Sequence, residues 1–180
     1  MKSFDELVKE RRSVRKYLDK PVEREKLSQF LESARLAPSA CNAQPWRYVV
    51  VDDKPLKEQV TDKGLGGAVS NSWAKTAPVM IVVCSTKDLF THKVGEAVQG
   101  VQFHLIDLGL SMEHFVLKAT ELGLGTCYIG WFNEKPIKKI LNLPASWKVE
   151  CLITLGYPET IPDPTPRKPM NEIIRFNKLD

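Results

Sequence analysis

Two stretches of this 180-residue chain concentrate side chains able to hold a ligand. In the first, Arg11-Arg12-Ser13-Val14-Arg15 sets three guanidiniums and a hydroxyl within five positions. A guanidinium is charged at every physiological pH, and its fork matches two oxygens of a phosphate at once. If the segment is extended, Arg11, Ser13 and Arg15 share one face. A solvated basic turn is the plainer reading of the same residues. The second stretch, Ala37-Pro38-Ser39-Ala40-Cys41-Asn42-Ala43-Gln44-Pro45-Trp46, has neither a helix nor a strand period. Ser39, Asn42 and Gln44 carry hydroxyl and amide groups that both donate and accept, a capacity that suits a neutral polyol better than an ion or a metal. A turn whose Ser and Asn bond their own backbone is the simpler alternative. Arg167 and Lys168, near the other end, add two more cations.

Other chemistries find no support in the residue pattern. Cys41, Cys84, Cys127 and Cys151 are far apart, with no CxxC pair and no histidine close by, so they read as reduced and mostly core. His104 and His114 lie ten residues apart, match no HExxH pattern, and read as structural. No Ser/His/Asp set or carboxylate pair stands out, so no catalytic side chain and no metal site is named. Gly64-Leu65-Gly66-Gly67-Ala68-Val69 does not follow a strand as a dinucleotide fingerprint must, and is read as a turn or lid.

The elements that must position these groups follow from periodicity and caps. Ser3-Phe4-Asp5-Glu6 has the S-x-x-E spacing of a capping box, which predicts a helix running into the arginine cluster. Leu27, Phe30, Leu31 and Ala34 mark a second amphipathic helix, ended by Pro38, where the amide-rich loop begins. Tyr48 to Val51, Val79 to Val83 and Val149 to Leu155 read as buried strands, and Asp53 as the cap of a short helix with Pro55 in its first turn. Apolar residues from Val98 to Leu122 alternate steps of three and four, predicting one long helix over about 94–122. Phe103, Ile106, Leu110 and Leu117 make that helix apolar on other faces as well, which predicts packing on a partner subunit; a wholly internal core helix is the alternative. After Gly123-Leu124-Gly125, the β-prone run Thr126 to Phe132 places Gly130 where a flat ligand can approach the backbone, or else is a core strand. Pro162, Pro164, Pro166 and Pro169 predict an extended arm over 159–180, with Ile173, Ile174 and Phe176 docking as a strand on a sheet edge.

Composition bounds the rest. A hydrophobic content of 43% with 27% charged residues is that of an ordinary globular chain, read here as one domain over 1–180. The first residues lack a signal-peptide core and no apolar run spans a bilayer, so the expectation is a cytoplasmic protein with no membrane partner. The net charge of +4 is modest and the basic clusters are short, with no nucleic-acid-binding motif around them. A small phosphorylated ligand is the better match.

Taken together, R-R-S-V-R, A-P-S-A-C-N-A-Q-P-W and G-L-G-T-C-Y-I-G, in that order and with a late P-R-K-P, resemble the flavin-dependent nitroreductase family over almost the whole chain. The resemblance implies an α+β fold with a mainly antiparallel sheet flanked by helices. It also implies a homodimer holding one FMN in each of two interface sites. Arg11, Arg12 and Ser13, with Arg167 and Lys168, correspond to a phosphate clamp. Arg15 corresponds to the cation at the N1/C2 edge of the flavin ring. Pro38, Ser39, Ala40, Asn42 and Gln44 correspond to the loop that reaches the cofactor from the other subunit. Tyr128, Ile129 and Gly130 correspond to the segment along the ring, where a backbone N–H meets N5. The segment Ser70 to Lys75 departs from the asparagine and lysine that the family's larger enzymes carry there. The implied activity is reduction of nitroaromatics, quinones or similar acceptors by NADH or NADPH through FMN, in ping-pong order. A flavin store or redox sensor with little turnover, and a basic nucleic-acid-binding module, are the competing readings.

Overall fold

The computed structural model of the chain describes residues 2–66, 69, 71–86 and 94–178, and its first element is helix α1 (Phe4–Glu10). Ser3 Oγ accepts the Glu6 N–H at 3.3 Å, and the Glu6 carboxylate accepts the Ser3 N–H at 2.7 Å, closing the expected capping box. Helix α2 (Arg24–Arg35) buries Leu27, Phe30 and Ala34 along one stripe. Helix α3 (Lys54–Gly64) starts at Asp53, whose carboxylate accepts the Leu56 N–H at 2.9 Å, with Pro55 in the first turn. The glycine-rich turn that follows α3 falls partly on Gly67 and Ala68, outside the described residues, as does Ser70.

Strands β1 (Trp46–Val51), β2 (Val79–Ser85), β3 (Gly125–Ile129) and β4 (Lys148–Gly156) form one antiparallel sheet in the order β1-β2-β4-β3. The pleat sends alternate side chains to opposite faces. Val79, Ile81 and Val83 of β2 therefore join the core beneath α2 and the long helix, while Met80, Val82 and Cys84 join the core beneath α3 and α6 (Glu134–Ile140). A strand covered on both sides reads as an unbroken apolar run, which is how β2 appears in the sequence. The result is the expected α+β architecture, a central antiparallel sheet flanked by helices.

The single long helix expected over 94–122 is two helices, α4 (Gly95–Gln99) and α5 (Phe103–Glu121). Gly100 separates them at φ +67, a left-handed conformation that ends α4 and redirects the chain. Apolar spacing runs across this glycine without registering the break, because hydrophobicity reports a face and not the sign of φ. Helix α5 buries His104, Leu108, Ser111, Phe115 and Ala119, and the Phe115 ring meets Phe30 of α2 edge-on at 4.5 Å. Its other side leaves Leu105, Ile106 and Leu110 exposed, Ile106 by 52%.

Every described residue from Glu159 onward is exposed, as an arm requires. The arm does not add a strand to this chain's own sheet: Ile173 lies in the short helix α7 (Met170–Ile173), and Phe176 is 85% exposed. The prolines at 162, 164, 166 and 169 have no N–H for a ladder, and they carry the arm away from the sheet after the Tyr17–Pro158 bridge.

Candidate functional site

Beyond α1 the arginine cluster runs alongside β3. Ser13 bridges Thr126 in the parallel sense, and the Val14 N–H donates to the Thr126 carbonyl at 2.9 Å. The approach is close because residue 125 is glycine; a Cβ there would lie 2.7 Å from Val14 Cγ2. Val14 and Tyr17 are buried, and the Tyr17 hydroxyl donates to the Val14 carbonyl at 2.7 Å and shares a hydrogen bond with Thr154 Oγ1 at 2.8 Å. Burial holds the Tyr17 phenol well above its ordinary pKa, so it stays a neutral donor. With Val14 turned inward, Ser13 and Arg15 project to the opposite side.

On that side lies a cavity of about 330 Å³, lined by Arg11, Arg12, Ser13 and Arg15 from the start of the chain and by Thr165 and Arg167 from the arm. Lys9 and Asp163 complete its charges, so five cationic side chains line it with one carboxylate. Arg12 turns Nη1 to the Lys9 and Arg11 carbonyls, satisfying the end of α1, while its buried Nε has no partner among the described residues. Arg167 Nη1 bonds the Thr165 carbonyl at 3.0 Å and Thr165 Oγ1 at 2.6 Å, which shapes the arm locally. Lys168 is exposed and does not line the cavity. A surplus of guanidiniums, a hydroxyl and an unused buried donor fit a phosphoryl dianion.

The edge of β3 continues this surface. The Cys127 carbonyl accepts from Thr154 Oγ1 on β4, whereas the Thr126 carbonyl faces outward to Val14. Peptide groups alternate along a strand, so Tyr128 turns its N–H to the same open edge as Thr126. The Tyr128 hydroxyl donates to the Met112 carbonyl on α5 at 3.1 Å; Ile129 is buried and Gly130 exposed.

The amide-rich loop is elsewhere. It enters β1 at Trp46, and β1 and β3 are opposite edges of the sheet, three strand spacings or about 14 Å apart. None of Pro38, Ser39, Ala40, Asn42 or Gln44 lines the arginine cavity of the same chain. Part of the loop's capacity is used internally: Ser39 Oγ accepts the Gln44 N–H at 3.0 Å, and Gln44 Nε2 donates to Asn42 O and Oδ1 at 3.0 and 3.1 Å. Cys41, Asn42 and Gln44 all have positive φ, strain that persists only where surroundings hold it. What holds it is Asp107, buried on α5, whose Oδ1 accepts the Ala40 N–H at 2.9 Å.

Asp107 was not singled out from the sequence; an acid on the buried stripe of a helix was the available signal. Two further side chains lie in the Ser70 to Lys75 segment, noted in the sequence only for its departure from the family pattern. Trp73, in the 3-10 turn Ser72–Thr76, lies beneath Arg15 with 5.7 Å from the guanidinium carbon to the ring centroid. Asn71, just before that turn, donates Nδ2 to the Trp131 carbonyl at 3.2 Å. Lys75 instead ion-pairs with Asp62 at the surface.

The thiols offer no nucleophile inside the fold. Burial pushes Cys84 up to about 12 and Cys151 up to about 11. Among the described residues no group of His, Cys, Asp and Glu can hold a metal ion, and no helix is long and apolar enough to cross a membrane.

Three kinds of comparison find proteins similar to this chain. The nitroreductase family profile matches residues 8–157. The crystal structure of a nitroreductase family protein from Clostridium difficile superposes with a TM-score of 0.83 at 32% identity, covering 99% of this chain and 100% of that one. The chain is 28% identical to an iodotyrosine deiodinase of Thermotoga neapolitana over 98% of its own length and 99% of the relative's. It is also 28% identical to an FMN reductase [NAD(P)H] of Bacillus subtilis, over 90% of its own length and 68% of the relative's.

Proposed function

The chain belongs to the nitroreductase family, and on that premise we propose that it is an NAD(P)H-dependent flavin oxidoreductase holding one FMN in each of two sites shared between the subunits of a homodimer. The observation that carries this reading is the convergence of Arg11, Arg12, Ser13 and Arg15 with Arg167 on one cavity from the two ends of the chain. Arg11, Arg12, Ser13 and Arg167 clamp the phosphate, with Lys168 adding positive charge from the arm. Arg15, the outermost of the run, faces the N1/C2 edge of the ring. Tyr128, Ile129 and Gly130 flank the ring, and the outward backbone at this edge presents an N–H to N5. A cavity of about 330 Å³ is at the small end for ligand sites, roughly 300–1,000 Å³, which fits a pocket completed by another chain. The second chain supplies Pro38, Ser39, Ala40, Asn42 and Gln44, whose neutral donors and acceptors suit the ribityl hydroxyls.

FMN, when bound, would supply the redox chemistry: hydride acceptance from NAD(P)H, then electron donation to a nitroaromatic, quinone or similar acceptor in a second half-reaction. The protein holds the cofactor, orients the ring against the β3 edge and places a fixed cation where negative charge collects. No side chain exchanges a proton with the substrate in this scheme.

Titration of the apoprotein with FMN, followed by flavin fluorescence, tests the clamp. Arg11→Ala and Arg167→Ala are expected each to weaken binding about tenfold or more, since a hydrogen bond to a charged group contributes about 1.5–3 kcal/mol, while changing the urea midpoint little. Unchanged affinity in both variants refutes the clamp. A wild-type protein that takes up no FMN refutes the whole reading.

A further inference from the structure

The short turn between α3 and β2 touches Arg15, which the flavin reading places at the ring, and the residue before it reaches Trp131, next to Gly130. From this turn, the Trp73 indole lies under the Arg15 guanidinium, 5.7 Å from its centroid. Two residues earlier Asn71, 9% exposed, donates to the Trp131 carbonyl at 3.2 Å and so fixes the peptide between Trp131 and Phe132. The turn itself is anchored from below. Lys57, 5% exposed, donates Nζ to the Lys75 carbonyl at 3.0 Å and also to the Ala77 carbonyl, and Ala74 is fully buried. Burial lowers the Lys57 pKa, but its two carbonyl partners give the ammonium a structural role. Trp73 packs against the small cluster of Val14, Tyr17 and Ala77, which contains the two buried residues that bracket Arg15 in the chain.

Arg15 needs such a support. It is exposed and, among the described residues, has no ion-pair partner, and the indole is the ring that its guanidinium rests on. A guanidinium over an indole at an exposed site is favoured about two- to fivefold over free rotamers. We infer that Trp73 is a positioning residue for flavin reduction: it holds the Arg15 guanidinium at the N1/C2 edge. This rests on the FMN reading above. Two electrons and one proton reduce the bound ring and leave one negative charge centred on N1 and C2. A cation held there stabilises the reduced form more than the oxidised one. Trp73 therefore acts on the potential through Arg15, without touching the reacting atoms.

The test is a double-mutant cycle read as the two-electron midpoint potential of bound FMN, with affinity for oxidised FMN measured alongside. Arg15→Gln is expected to weaken the preference for reduced over oxidised flavin about tenfold, about 30 mV. Trp73→Leu is expected to weaken it about two- to fivefold, about 10–20 mV, with affinity for oxidised FMN altered less than affinity for the reduced form. In the Arg15→Gln background, Trp73→Leu should shift the potential no further. Trp73→Phe keeps the packing and a weaker π face; its smaller shift must likewise vanish when Arg15 is absent, and it carries the cycle if the leucine variant does not fold. The inference is overturned if the Trp73 variants shift the potential equally with and without Arg15, or leave it unmoved while Arg15 is present. Failure of the wild-type protein to bind FMN is a separate outcome, which removes the premise.

Discussion

Gly125 shows how much of the site depends on a missing side chain. Its position lets the Val14 backbone lie against β3, and a Cβ there would sit 2.7 Å from Val14 Cγ2 and 2.8 Å from Val14 Cβ. Val14 is buried between Ser13 and Arg15, so relief of that clash moves the arginine run itself. Gly125→Ala is expected to cost about 1–3 kcal/mol in urea unfolding and to weaken FMN binding in the same variant. An alanine variant of full stability and full affinity would show that Val14 yields without carrying Arg11 and Arg15 with it. At this scale the sequence is informative where a residue type carries its own chemistry. Arg11, Arg12, Ser13, Arg15 and Arg167 are recognisable because guanidinium and hydroxyl groups advertise phosphate binding. Asp107, Asn71 and Trp73 act only through what they touch, and nothing in their types names those contacts.

Among the elements, α5 packs against α2 and also holds the loop, through Asp107, and the Tyr128 hydroxyl, through the Met112 carbonyl. Phe115 is fully buried between Phe30, edge-on at 4.5 Å, and Tyr48, stacked at 6.1 Å. Truncating such a ring leaves a cavity that neighbours on rigid elements cannot collapse. Phe115→Ala is therefore expected to destabilise the protein by about 3–5 kcal/mol, seen as a drop of roughly 10 °C in thermal melting. A melting change of only a degree or two would mean that α5 is not held by this contact. Element starts were legible because Ser3, Asp53 and Pro55 act within one turn of themselves. The division of α4 from α5 was legible only in Gly100, which a count of apolar positions passes over. The arm was legible as an arm from its prolines, but its partner surface was not.

For the molecule as a whole, the separation between the arginine cavity and the amide-rich loop is the decisive fact. They lie at opposite edges of one sheet, and no residue of the loop lines that cavity, which is why the proposed site takes its loop from a second chain. In the proposed homodimer the exposed Leu105, Ile106 and Leu110 on α5 would be the apolar face for the second copy. Ile106→Glu puts an unpaired charge into that face, a change that costs several kcal/mol when buried. The expected result is a monomer by sedimentation that keeps its helical circular dichroism and loses FMN affinity. A monomer that binds FMN as tightly as the wild type would show that Pro38 to Gln44 are not supplied by the partner.

What the sequence determined by itself was local and chemical: helix starts, a doubly covered strand, cations able to take a phosphate, and the family motifs that carry them in order. These are readable because hydrogen-bond capacity, charge and periodicity are properties of residues and of their near neighbours. Only the tertiary structure decided that Arg167 comes back to Arg11, that Asp107 pins Ala40, and that Trp73 lies beneath Arg15. Those are contacts between parts of the chain far apart in sequence, and they are set by how the sheet and its two helical layers pack.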